Sequence, residues 1–344
     1  MNQARVCSPL WRWFLSSGAL LALLLLLGAC GKGGGSAPGK AEAVQQRVFR
    51  VVRPKQLTAL SVLEKKGILA EALKPLGVTV TWLEFAAGPQ QIEALNAGEL
   101  DLASTAESPP VFAQAADSSI VYVATQLPSG RATSCLVTAG SGIKTVADLK
   151  GKKVAFQKAS IGHYLLIKAL RQVGLGPNDV QQVFLPPPDA QAAFNAKSVD
   201  AWLIWEPFGT RAVQNGSGKV LFDGGGGLRD SGNFYTTSRA FADKNLDVLK
   251  VFLDELTKTE AWNRAHPREM AELLTADLQI DVPTLLEMHQ RYDFAVLPIT
   301  EPVIVKQQEV ADLYFGIGYL PKKVDVRRGL LRPEQYAALG PLTE

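Results

Sequence analysis

The chain has 344 residues, with 36 Lys and Arg against 33 Asp and Glu, a formal net charge of +3 at neutral pH. So small an imbalance argues against a nucleic-acid partner, which calls for a basic surface. The length is too great for one small core and suits more than one lobe.

The first element in chain order reads as a leader. Arg5 and Arg12 precede an apolar run from Trp13 to Ala29, which closes on Leu27-Gly28-Ala29-Cys30. A basic start, an apolar centre and small residues before a cut describe a secretory signal over residues 1–29. The run is short for a membrane span of about 20 residues. A cysteine directly after Gly-Ala resembles the bacterial lipobox, so Cys30 is the expected lipidation site and residues 30–46 a flexible tether rich in small and polar residues. Removing the leader leaves 315 residues, enough for two lobes of about 150 each, and lowers the charge to +1. Cys7 leaves with the leader and Cys30 takes lipid. Cys135, beside Leu136-Val137, is then expected to be a buried small residue, with no internal disulfide.

From Val48 short apolar runs alternate with amphipathic ones. Val78–Phe85 reads as a strand, Pro89–Asn96 as a helix, Leu100–Ser104 as a strand, Pro109–Ala116 as a helix and Ile120–Thr125 as a buried strand. This alternation implies parallel βαβ units. The pattern then repeats: Ala94-Leu95-Asn96-Ala97-Gly98-Glu99-Leu100-Asp101 matches Ala193-Phe194-Asn195-Ala196-Lys197-Ser198-Val199-Asp200 at an offset of 99, and Glu107 meets Glu206 at the same offset. Two copies suit two lobes of similar layout better than a solenoid. In the C-terminal third, Leu249, Phe252, Leu253 and Leu256 share one helix face, and Thr300-Glu301-Pro302 opens another helix. These helices are expected to be packing elements of the first lobe.

Catalytic motifs are absent from the sequence, and His163, His266 and His289 lack metal-ligand spacing, so neither cofactor nor metal is expected. Gly224–Gly227 reads as a loop. What recurs is a helix start placed after a strand, at Gly88-Pro89-Gln90, at Glu107-Ser108-Pro109-Pro110 and at Ala159-Ser160-Ile161-Gly162-His163. First turns of helices offer free N–H donors and partial positive charge, which favour an anion. Such starts lie at the carboxyl ends of strands, where open sheets bind ligands. Arg53 and Lys55 could add charge, and Trp205, ending the strand Ala201–Ile204, could supply an apolar wall.

Several runs resemble the aliphatic-sulfonate-binding proteins of ABC transporters. They are Trp82-Leu83-Glu84-Phe85-Ala86-Ala87-Gly88-Pro89-Gln90, Pro109-Pro110-Val111-Phe112-Ala113-Gln114-Ala115-Ala116, Thr145 to Lys158, Trp205-Glu206-Pro207 and Leu320 to Arg327. The resemblance covers about residues 48–330. It implies an α/β, two-lobed periplasmic-binding fold of the second type, each lobe a mixed sheet flanked by helices, with the ligand cleft between them. Lobe 1 is expected over 47–134 and 235–330, lobe 2 over 135–234 and a C-terminal tail over 331–344, with crossings near Ser134–Val137 and Phe234–Ser238. It further implies a monomer that hands a small anion to a permease and an ATPase; with the leader and Cys30, the mature chain is expected to be exported and lipid-anchored.

On this resemblance Gln90, Thr105, Ser108, Ser160 and His163 are expected around the anionic head group, with Trp205 and Tyr235 along its tail. Arg53 is an added donor, standing in Val52-Arg53-Pro54-Lys55 where the family has Gly-Tyr-Gln-Lys. Trp205-Glu206-Pro207-Phe208 likewise departs from the family's Trp-Asp-Pro-Tyr. Glu107 and Glu206 would repel an anion unless they cap helices or meet a ligand ammonium. Taurine, nitrate or a thiamine-precursor pyrimidine are alternative solutes. An enzyme on the same scaffold, or a sensor for a partner receptor, are the readings from other classes.

Overall fold

The computed structural model describes residues 47–342. The expected signal peptide, Cys30 and the tether therefore lie outside the described residues.

The chain starts with β1 (Arg47–Arg53), whose Phe49, Val51 and Val52 are buried. Thr58 then caps α1 (Ala59–Lys65), accepting from the Ser61 N–H at 3.5 Å, and α2 (Ile68–Leu73) follows. β2 (Val78–Glu84) lies parallel to β1, with Arg53 opposite Glu84. Next come α3 (Gly88–Asn96), β3 (Ala103–Thr105), α4 (Ser108–Ala115) and β4 (Ile120–Gln126). The second lobe holds β5 (Thr133–Thr138), β6 (Lys153–Phe156), α5 (Ile161–Gln172), β7 (Gln181–Phe184), α6 (Pro187–Asn195), β8 (Ala201–Trp205), α7 (Phe208–Gln214) and β9 (Gly218–Asp223). The chain returns through β10 (Phe234–Ser238), α8 (Arg239–Lys244), α9 (Leu246–Ala265), α10 (Pro267–Leu278), α11 (Val282–His289), β11 (Val296–Leu297), α12 (Glu301–Gly316) and α13 (Pro333–Leu339).

The two lobes share one topology. In the second the strand order is β7-β6-β8-β5-β9, with β5 antiparallel to both neighbours. In the first, β2-β1 joins the β3-β10-β4-β11 sheet through a parallel bridge from Val51 to Leu102, and β10 is antiparallel to β3 and β4. The sequence repeat marks equivalent places. Asp101 accepts the Arg50 N–H at 2.8 Å, and Asp200, at the 99-residue offset, accepts the Lys153 N–H at 2.8 Å. Each carboxylate thus ties the turn after a helix to the backbone of the neighbouring parallel strand.

The two connections between lobes, 127–132 and 224–233, lie just before the expected crossings. They touch backbone to backbone: the Gly224 N–H donates to the Gly130 carbonyl at 3.1 Å, and a Cβ on Gly130 would lie 2.2 Å from the Gly224 oxygen. Two glycines are needed because no side chain fits there. On the far side of this junction, α12 joins the lobes through an apolar cluster that takes Val111 from α4, Tyr164 and Ile167 from α5, and Val310 and Tyr314 from α12. The segment expected as a tail carries α13, anchored by buried Leu331 and Leu339 and by the Tyr336 hydroxyl donating to the Tyr122 carbonyl at 2.8 Å. Cys135 is fully buried, and burial raises its thiol pKa far above the ordinary value.

Candidate functional site

A cavity of about 560 Å³ opens between the lobes, within the range of small-molecule sites. Its walls come from the carboxyl ends of the parallel strands: Arg53 ending β1, Phe85 after β2, Thr105 ending β3, Ser160 beyond β6, Pro188 beyond β7 and Trp205 ending β8. Parallel strands put those ends on one side of each sheet, so the two lobes present them to each other.

Helices from both lobes start at this cavity, α3 and α5 among them. Ala87 and Gly88 line it at the start of α3, and Ser160 and Ile161 line it at the start of α5. Neither helix has a side-chain cap. Ala87 has none to offer, and the Ser160 hydroxyl donates instead to the Gln157 carbonyl at 2.7 Å. The first-turn donors are therefore left for what enters the cleft. α7 makes the contrast: Glu206 accepts the Thr210 N–H at 3.0 Å, so a carboxylate of the chain already occupies that helix start. α3 can approach α4 closely because residue 88 is glycine; a Cβ there would sit 2.9 Å from Pro109 Cγ.

The cavity's charges are mostly paired. Arg229 holds Glu107 at 3.1 Å with both side chains almost fully buried, and also reaches Asn233 at 2.8 Å. Glu206 is held by Arg291, which also donates to the Thr210 hydroxyl at 2.9 Å. Arg53 pairs with Glu64 at 3.0 Å and Lys55 with Glu84 at 2.8 Å. Arg211 points to the Leu278 carbonyl, and Glu260 accepts from Gln126 at 2.8 Å. The tail side is aromatic: Trp205 meets Phe208 edge-on at 6.5 Å, and Phe85, Tyr292 and Phe294 complete the wall. Among the described residues no cluster of His, Cys, Asp and Glu could hold a metal ion.

Of the residues expected at the site, Arg53, Thr105, Ser160 and Trp205 line the cavity. The other four do not. His163 is fully buried, stacked on Phe156 at 5.0 Å and edge-on to Tyr319 at 4.6 Å, and its Nδ1 accepts the Ala159 N–H at 3.3 Å. Burial, with the Lys158 charge nearby, pushes it down to about 3, so it is a neutral residue on the core side of α5. Ser108 is buried against the Tyr314 hydroxyl at 3.0 Å. Tyr235 is buried in the first lobe's core, its hydroxyl accepting from Gln126 at 2.8 Å. Gln90 is half-buried, and its neighbour Gln91 lines the cavity instead, accepting the Ser104 N–H at 3.0 Å.

The sequence reading missed Phe208, Arg211, Arg229, Glu260, Tyr292 and Phe294. Phe208 directly follows the Trp205-Glu206-Pro207 run and was legible there. Glu260 sits on the face of α9 next to the buried Leu256, which the apolar period marks as inward but not as facing a cleft. Glu107 and Glu206 prove to be paired with arginines from the returning chain, Arg229 and Arg291, rather than open to a ligand.

Comparison with known proteins places this geometry. The family model described as NMT1/THI5 like matches residues 59–270. A relative from Escherichia coli (strain K12), named provisionally as an aliphatic sulfonates-binding protein, is 42% identical over 275 residues, covering 80% of this chain and 86% of its own. The solved structure of an alkanesulfonate-binding protein from Xanthomonas axonopodis pv. citri, bound to MOPS, superposes with a TM-score of 0.80 at 33% identity, covering 83% of this chain and 98% of the other. The periplasmic aliphatic sulphonate binding protein of Escherichia coli superposes with a TM-score of 0.74 at 38% identity, covering 83% and 92%.

Proposed function

Because the chain belongs to the NMT1/THI5-like family, we infer that it is an extracytoplasmic solute-binding protein of an ABC importer that captures an aliphatic sulfonate between its lobes. The observation that carries this reading is the pair of uncapped helix starts, α3 and α5, facing one cavity from opposite lobes. A sulfonate has three acceptor oxygens and stays ionised at any physiological pH, so it suits backbone N–H donors with no dedicated cation. The aromatic wall of Trp205, Phe208 and Phe294 takes the apolar tail. Lobe closure removes both ends from water and strengthens the polar contacts. On this reading the chain does no chemistry on its ligand and works as a monomer. It is held to the envelope membrane through lipid on Cys30, and it delivers the solute to a permease and its ATPase.

Thermal unfolding of the purified protein tests this directly. Alkanesulfonates at about 100 times their dissociation constant should stabilise it by about 2.7 kcal/mol, and Trp205→Ala should weaken binding by about tenfold or more. Stabilisation by nitrate or a pyrimidine, with none by any sulfonate, would overturn the assignment of the solute.

A further inference from the structure

Among the described residues, two of the buried or half-buried charged groups at the cavity have no ion pair, while the exposed Asp293 at its rim also has none. On lobe 2, Arg211 has only the Leu278 carbonyl, and burial lowers its pKa. On lobe 1, Glu260 accepts from Gln126, with the neutral Asn263 and Tyr235 beside it and Arg264 acting on it only through space. Glu260 is 2% exposed, and its Oε2 has no hydrogen-bond partner. Gln126 donates both to the Glu260 Oε1 and to the Tyr235 hydroxyl, each at 2.8 Å, which spends its two N–H groups. A buried carboxylate without a cation is costly, and it either keeps a proton or takes a positive partner. Glu260 borders the cavity, so a ligand group that enters there can supply that partner.

Resting on the sulfonate reading above, we propose that Glu260 reads a cationic centre on the ligand's tail, so that the cleft selects zwitterionic sulfonates over plain alkanesulfonates of the same shape. Glu107 and Glu206, the other buried carboxylates near the cleft, are already matched by Arg229 and Arg291. A ligand carrying both signs leaves the cavity's charge balance unchanged, whereas a plain anion adds one negative charge beside Glu260. The groups around Glu260 set its response to pH. Gln126 from β4 and Tyr235 from β10 are neutral. Arg264, on its own helix, is engaged on the Phe294 carbonyl at 3.0 Å, and His289 from α11 reaches the Asn263 carbonyl at 2.9 Å. Burial outweighs these and pushes the Glu260 carboxyl up to about 7. The preference for an ammonium tail should therefore be stronger at about pH 8, where the carboxylate is charged, than at about pH 6.

The experiment is calorimetric titration with pairs of near-isosteres, homotaurine against butanesulfonate and taurine against propanesulfonate, at both pH values. At the higher pH, tenfold or tighter binding of the amino-sulfonates is expected. Glu260→Gln should bring the ratio near one, while Glu260→Asp keeps a preference of the same sign; unfolding curves of each variant check that it is folded. A wild-type preference for the plain sulfonates, or a ratio unchanged in Glu260→Gln, overturns the role of Glu260 and leaves the sulfonate reading standing. Failure of every sulfonate to bind overturns both.

Discussion

Burial acts on two titratable side chains in opposite senses, Glu260 up to about 7 and His163 down to about 3. For Glu260, the unfolded chain has released its proton above about 4.5 while the folded chain keeps it until about 7, so raising the pH through that window favours unfolding. For His163, the unfolded chain binds a proton below about 6.5 that the folded core refuses, so stability falls as the pH drops through that value toward 3. Urea unfolding of the ligand-free protein should show Glu260→Gln gaining on the wild type by on the order of 3 kcal/mol between about pH 4.5 and pH 7, then levelling. A gap that stays constant with pH would mean that Glu260 is not desolvated. At this scale the sequence was only partly legible. Ser160 and Trp205 could be placed because strand ends and helix starts fix where the backbone goes. His163 could not, because one residue's turn of α5 decides whether a side chain meets the cavity or the Phe156 ring.

Helix starts are the elements on which the site is built, and they were readable from Pro89, from Ser160 and from the 99-residue repeat. Their uncapped state was not, since a serine before a helix predicts a cap, and the Ser160 hydroxyl turns to the Gln157 carbonyl. The C-terminal helices were legible as amphipathic, yet the pattern says that a face is buried without saying what covers it. For that reason Glu260, Tyr292 and Phe294 reached the cleft unannounced. The start of α3 is the tightest element. Gly88→Ala would press a Cβ to 2.9 Å from Pro109 and 3.3 Å from Thr105, at a stability cost of about 1–3 kcal/mol. Because the shift moves the N–H donors themselves, sulfonate affinity should fall by at least tenfold on calorimetry. Unchanged affinity would place the head group elsewhere.

Across the whole molecule the lobes are fastened on one flank of the cleft. From lobe 2, Glu206 and Thr210 meet Arg291, Arg211 meets the Leu278 carbonyl, and Gln214 donates to the Thr284 hydroxyl at 2.7 Å. The lobe 1 partners lie on or beside α10 and α11, which pack on α1 through Leu57, Val62, Met270 and Leu285. Contacts made only when the lobes meet should act on departure more than on arrival. Arg291→Ala should therefore raise the ligand release rate by about tenfold in stopped-flow tryptophan fluorescence, with a much smaller change in association. An effect confined to association would count against this fastening.

The strand order carries one more consequence, in the sequence of assembly. β10 lies between β3 and β4 in the first sheet, but it follows the entire second lobe in the chain. A chain that emerges from its N-terminus can finish the uninterrupted second sheet as soon as Asp223 is out, because all five of its strands lie between Thr133 and Asp223. The first sheet must wait, with β3 and β4 unjoined, until Ser238 has appeared. The lobe that begins the polypeptide is thus the last to be completed, and its two exposed strand edges are the interval in which a nascent chain is most open to wrong pairing.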